Sequence, residues 1–186
     1  MKDELLKVLP ELKMIADEEL RRKSVDTFVE ALELGGWSPG DLDRIPFTLL
    51  IKPCPASFLK HTRSVTATAL GIANLLAGAW PAEKAMEVNR DLLLATALLH
   101  DVGKLLEYER DGEGGYRKSA NGKLLRHPAS GAGLCMKHGL PDAVVHGVMY
   151  HSHEGDGIRA TLEAIIVHHA DFLNFEPLVL KYGQDV

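Results

Sequence analysis

The chain is sparing with several residue types, and each shortage excludes something. Its two cysteines, Cys54 and Cys135, lie far apart and form no Cys-x-x-Cys pair. That excludes a disulfide framework and a thiolate zinc site, and it fits a cytoplasmic protein. Positive charge is not in excess: 21 Lys and Arg face 26 Asp and Glu, a net charge of −5. Such a balance argues against binding extended nucleic acid, which depends on a basic surface releasing phosphate counterions. No run approaches the ~20 uninterrupted apolar residues of a membrane span. The opening Lys2, Asp3, Glu4 and Lys7 lack the basic start and apolar run of a signal peptide. Aromatics make up only 6% of the chain; no aromatic-rich patch, Gly-rich phosphate loop or basic groove stands out to name a base or sugar. Histidine is missing from the first 60 residues, and all nine lie beyond them.

What is present begins with Leu92 to Lys104, an apolar helical run carrying His100-Asp101 followed by Val102, Gly103 and Lys104. Desolvating an imidazole and a carboxylate side by side costs several kcal/mol unless they find partners. A metal ion is the natural partner. Histidine gives one nitrogen to one ion, whereas the carboxylate has two oxygens and can bridge two, so the pair suits a dinuclear centre. Around it the histidines and acids fall in order: His61, His100-Asp101, His127-Pro128, the cluster His151-Ser152-His153-Glu154, and Asp171.

This ordered set resembles the HD-domain superfamily of metal-dependent phosphohydrolases over roughly residues 55 to 176. The resemblance implies an all-α helical bundle, with His61, His100, Asp101 and Asp171 as the ligands shared by metal-binding members. His127 and His151 would complete a second metal. The run His100 to Lys104 is similar to the form in the HD-GYP subgroup, which cleaves cyclic dinucleotides. That subgroup would show Tyr-Pro after Gly157, where this chain has Ile158-Arg159, so that activity is not assigned. The implied cofactor is one or two divalent transition-metal ions, Mn, Fe, Co, Ni or Zn, with Mg also allowed. The implied function is attack of a metal-activated water on a small phosphoester, with a nucleotide the favoured class, and Asp101 and Lys104 as catalytic groups. Two rivals use the same residues. Relatives of inositol oxygenase hold two irons on this ligand set, and a degenerate pocket could serve as a nucleotide sensor without catalysis.

Residues 1–52 read as a helical extension and 53–186 as the metal-binding domain. Apolar spacing in the extension predicts two helices broken near residues 16 to 19, with Gly35-Gly36 ending the second. These helices offer a surface for a homodimer. Ser38-Pro39-Gly40-Asp41 has the form of a capping box on a short helix over residues 39 to 44. Phe47 to Ile51 is a β-like run among prolines. Helices follow over residues 56 to 79, from Asn89 through His100-Asp101, after His127-Pro128, from Pro141-Asp142 to His151, and over 159 to 175, where Pro177 stops the last. Leu162, Ile165, Ile166, Ala170 and Leu173 would form the last helix's core face. The Gly-rich stretch from Arg110 to Lys123 predicts a loop or small hairpin.

Further residues carry subsidiary expectations. His151 is preferred to His153 as a ligand because it follows directly on a helix, leaving His153 to touch substrate or support the site. Glu154 and Asp156 could accept the second N–H of ligand imidazoles. His168 shares a helix face with Asp171 and falls beside the site. Lys104, one turn after His100, is placed to clamp a phosphate.

Overall fold

The computed structural model describes residues 1–183. Helices begin and end where the sequence punctuates them. Helix α1 (Lys2–Val8) gives way at Pro10 to a 3-10 turn, Pro10–Met14. Helix α2 (Glu18–Gly35) starts at Asp17, whose carboxylate accepts the Leu20 N–H at 2.8 Å. It ends at Gly36, in the left-handed region at φ 70°, where a side chain would be strained. The capping box forms on the 3-10 turn Pro39–Asp43, with the Ser38 N–H donating to Asp41 at 2.8 Å.

Phe47 to Ile51, expected to be β-like, forms no strand. One bridge, Pro46 to Ser57, ties this segment back. Pro46, Pro53 and Pro55 remove the donors a ladder would need. Helix α3 (Phe58–Ala79) starts at Ser57, and α4 (Arg90–Leu99) at Asn89, whose side chain accepts from Asp91 and Leu92 N–H at 3.1 Å. Helix α4 ends at Leu99 and does not run on through His100-Asp101. The His100 ring takes the Ala97 carbonyl at 2.7 Å, and the chain tightens, with Val102 N–H on Leu99 O and Lys104 N–H on Asp101 O. A short α5 (Lys104–Glu107) follows.

The Gly-rich stretch folds as an antiparallel hairpin, β1 (Tyr108–Arg110) and β2 (Tyr116–Lys118), its turn closed by Asp111 accepting from Glu113 and Gly115 N–H at 2.9 and 2.8 Å. Then come α6 (His127–Lys137), α7 (Asp142–Tyr150) and α8 (Leu162–Tyr182). Pro177 lies inside α8 and does not stop it. Leu173, whose carbonyl loses its donor to Pro177, is 62% exposed, so water can take that bond and the helix continues. Leu173 is therefore not on the core face, which consists of Ala164, Ile166, Val167 and Ala170.

Two apolar clusters share α4. On one side Leu5, Leu9, Leu12, Phe28 and Leu32 pack with Leu94, Leu98, Val102 and Leu105. On the other, Leu93 and Ala97 meet Val65 and Ala69 of α3 and Ile166, Val167 and Ala170 of α8. Each buried leucine contributes roughly 2 kcal/mol. The central helix is thus held on both faces, and the His-Asp pair sits at its C-terminal end. The fold is all-α apart from the hairpin, and no helix among the described residues is long and apolar enough to cross a membrane.

Candidate metal centre

Five segments converge at the end of α4. His61 comes from the first turns of α3, His100 and Asp101 from the turn after α4, His127 from the start of α6, His151 from the end of α7, and Asp171 from α8. All six sequence-predicted ligands are brought together. His61, His100 and Asp101 form one group able to hold an ion, and Asp101, His127 and His151 form another. Asp101 belongs to both. Its Oδ2 lies 3.5 Å from His61 Nε2 and 3.3 Å from His100 Nε2, while its Oδ1 lies 3.2 Å from His127 Nε2 and 3.7 Å from His151 Nε2. Asp171 Oδ1 joins the first group, 3.0 Å from His61 Nε2.

Hydrogen bonding around the rings shows that a cation fits here. Nδ1 of His151 donates to the Val148 carbonyl at 2.7 Å, and Nδ1 of His127 donates to Glu107 Oε2 at 2.9 Å. A neutral imidazole has one ring proton, so each presents a lone pair at Nε2. Those two nitrogens face each other at 3.3 Å, with Asp101 Oδ1 beside them buried and without a hydrogen-bond partner. With both Nδ1 atoms spent on other partners, two ring nitrogens and a carboxylate oxygen converge on one point, a donor set suited to a positive ion. His100 is set the same way, its Nδ1 spent on Ala97 O.

The charges agree. Burial pushes His151 down to about 3, so it stays neutral, as a ligand must. For Asp101, burial works against ionisation, but Lys104 and the neighbouring imidazoles of His100 and His127 together outweigh it and hold the carboxyl well below its usual range. Burial likewise opposes charge on His100, yet Asp101 raises its pKa above the ordinary value, the mark of a negative field at this point that a metal cation would meet in place of a proton. Lys104 is buried, and its ammonium donates to Asp101 Oδ2 and to the Phe47 carbonyl, each at 2.7 Å. Two of its three donors are thereby fixed.

The centre opens into a cavity of about 480 Å³. Phe47, Phe172 and Phe175 form one wall, and Lys104, Lys118 and Arg126 bring positive charge to its lining. The sequence offered no sign of this wall, because Phe47 and Phe175 lie far apart in the chain yet pack edge to face at 6.1 Å. Phe47 also stacks on the His61 ring at 4.5 Å. His153 lines the same cavity but is exposed and turned toward Asp156, whereas His151 is fully buried among the ligands. Glu154 pairs with Arg126, and Asp156 with His153 and Arg159, so neither orients a ligand imidazole. Glu107 does so, and sequence reasoning passed over it. Its only signal is its place one turn after Lys104. His168 stands outside the centre and donates to the His151 carbonyl at 2.7 Å.

Comparison with known proteins agrees with this geometry. The family model described as HD domain matches residues 58–174, and the chain belongs to that family. A dihydroneopterin 2′,3′-cyclic phosphate phosphodiesterase from Methanocaldococcus jannaschii is 31% identical over 182 residues, covering 91% of this chain and 67% of that protein. Ribonuclease Y from Desulforamulus reducens is 32% identical over 99 residues, and that from Thermoanaerobacter pseudethanolicus 33% over 92, covering 53% and 48% of this chain but only 16% and 15% of theirs. No solved structure matches. The chain is a metal-dependent phosphohydrolase of the HD class that uses divalent metal.

Proposed function

We propose that the chain hydrolyses a small cyclic phosphodiester attached to a heteroaromatic compound, a nucleotide or a pterin, at a centre holding two divalent transition-metal ions. His61, His100, Asp101 and Asp171 would hold one ion, and Asp101, His127 and His151 the other. The single observation that carries this is the convergence of His127 Nε2, His151 Nε2 and Asp101 Oδ1 on one buried point. When bound, such ions supply Lewis acidity and a water activated near neutral pH. Mixed imidazole and carboxylate donors suit Mn, Fe, Co, Ni or Zn, and Mg less well.

The chain's own groups would do the rest. Lys104 has one N–H beyond those given to Asp101 and Phe47, and it lines the cavity, so that donor would neutralise charge building on the phosphoryl oxygens. Phe47, Phe172 and Phe175 would hold an aromatic ring, while Lys118 and Arg126 would draw in the anion. The activity named for the methanogen relative supports a cyclic phosphate as substrate. Residues 1–52 would act as an extension completing the cavity through Phe47, Thr48, Leu49 and Leu50. The free cysteines suit the reducing cytoplasm.

The test is hydrolysis by manganese-loaded protein of 2′,3′-cyclic nucleotides, dihydroneopterin 2′,3′-cyclic phosphate and simple monoesters, with and without oxygen. Opening of a cyclic phosphate to a monoester, with water adding to phosphorus and one P–O bond to the sugar or polyol breaking, is expected. Turnover of monoesters alone would overturn the cyclic-substrate reading, and a requirement for oxygen would favour an iron oxygenase.

A further inference from the structure

The histidines of the centre are not oriented by the same means. His100 and His151 each give Nδ1–H to a backbone carbonyl three residues earlier, Ala97 O and Val148 O, both at 2.7 Å. Those acceptors belong to the helices themselves. His127 stands at the first position of α6 and has no preceding turn to supply a carbonyl. Its Nδ1–H goes instead to Glu107 Oε2 at 2.9 Å, and the same oxygen takes the His127 backbone N–H at 2.8 Å.

One carboxylate oxygen therefore fixes both the ring and the main chain of one candidate ligand. Glu107 is in turn held from the other side. Lys118 of β2 approaches its Oε1 at 3.4 Å. Ser119 N–H donates to the Glu107 carbonyl at 2.8 Å. Gly122 passes so close that a Cβ there would lie 2.3 Å from that carbonyl oxygen. Residues 108–126 thus leave at Glu107 and return to His127, and the two ends are fastened together.

We infer that Glu107 is a positioning residue that fixes the Nδ1-protonated form of His127 and so builds the second ion's site, coupling it to the hairpin. This rests on the two-ion reading above. Among the described residues the Glu107 carboxylate bonds or pairs only with His127 and Lys118 and with none of the first ion's ligands, so its loss should weaken one site and spare the other. The distinction between Ala and Gln is diagnostic. A Gln amide oxygen can stand where Oε2 stands and accept both His127 bonds, with its NH2 turned toward Lys118, which is half exposed and free to swing away.

The experiment is titration of metal-free protein with Mn(II), following bound ions per chain and the magnetic coupling of a paired site by electron paramagnetic resonance. Wild type is expected to take up two coupled ions. Glu107→Ala should keep the first and bind the second roughly 10- to 100-fold more weakly, losing the coupling, whereas Glu107→Gln should recover most of it. Two tightly bound ions in Glu107→Ala, or equal loss in both variants, would overturn the inference. A wild type that takes up a single ion would overturn the two-ion reading instead. Should Glu107→Ala not fold, the ring-nitrogen shifts of His127 in metal-free wild type decide: protonation at Nδ1 is expected, and protonation at Nε2 would overturn it.

Discussion

At the scale of single residues, the site is organised by the sharing of Asp101 between two groups of imidazoles. Asp101→Ala is expected to lose bound metal and activity together, checked by metal content and turnover of the same preparation. Lys104→Met is a different case, because its ammonium is fixed beside Asp101 and faces the cavity. It should keep its metal while kcat falls roughly 100- to 1000-fold, the loss typical of removing a donor to developing charge. Glu107 makes a prediction about pH. Burial opposes its charge, but the bonds from His127 outweigh this and bring its pKa from 4.5 down to about 2. Because the folded value lies below the unfolded one, this group stabilises the fold fully above about pH 4.5 and progressively less as pH falls toward 2. Thermal melts of metal-free wild type across that window should therefore slope more steeply than those of Glu107→Gln; parallel curves would contradict the assignment. His100 and Asp101 were legible in the sequence because polar residues at the end of an apolar helix demand partners, and the other four candidate ligands through the resemblance that their order carries. Glu107 was not, since an acid in a stretch already rich in charge carries no comparable demand.

At the scale of elements, the chain's starts were easier to read than its stops. Asn89 and the Ser38 box announce helices through side chains that reach only three residues ahead, so local sequence is enough. Stops depend on what lies across the fold. Pro177 fails to end α8 because that side of the helix faces water, and α4 ends at Leu99 because His100 turns its ring onto Ala97. The Phe47 to Ile51 run has strand-like residues and no strand to pair with. Gly103 shows the close packing that follows from the turn after α4. A Cβ there would sit 2.1 Å from the His127 carbonyl and 2.7 Å from the Gly131 nitrogen, both backbone atoms of α6. Gly103→Ala should push α6 outward, costing about 1–3 kcal/mol in denaturant unfolding. It should also weaken the second ion far more than the first. Unchanged stability would mean α6 is less firmly seated than the contacts indicate.

At the scale of the whole molecule, the segment before the family match is part of the same core. Leu5, Leu9, Leu12, Phe28 and Leu32 cover Leu94, Leu98, Val102 and Leu105; Asp91 accepts the Ala16 and Asp17 N–H groups at 2.9 and 2.8 Å; and Trp37 donates to Leu105 O at 2.8 Å. A chain beginning at residue 53 would expose that apolar surface and lose Phe47 from above His61. It should be insoluble or lack cooperative melting, whereas a sharp melt would show that the extension is dispensable for folding. The aromatic wall of the cavity belongs to this scale as well, since Phe47, Phe172 and Phe175 meet only when both ends of the chain have folded around α4. The central claim is that cyclic phosphate hydrolysis runs on two ions shared through Asp101. Its most direct test is turnover of a 2′,3′-cyclic phosphate by chelated protein given zero, one and two equivalents of Mn(II), beside Asp101→Ala. The account predicts silence at zero, full turnover only with the second equivalent, and silence in the variant throughout; turnover without metal, or an active Asp101→Ala, would contradict it.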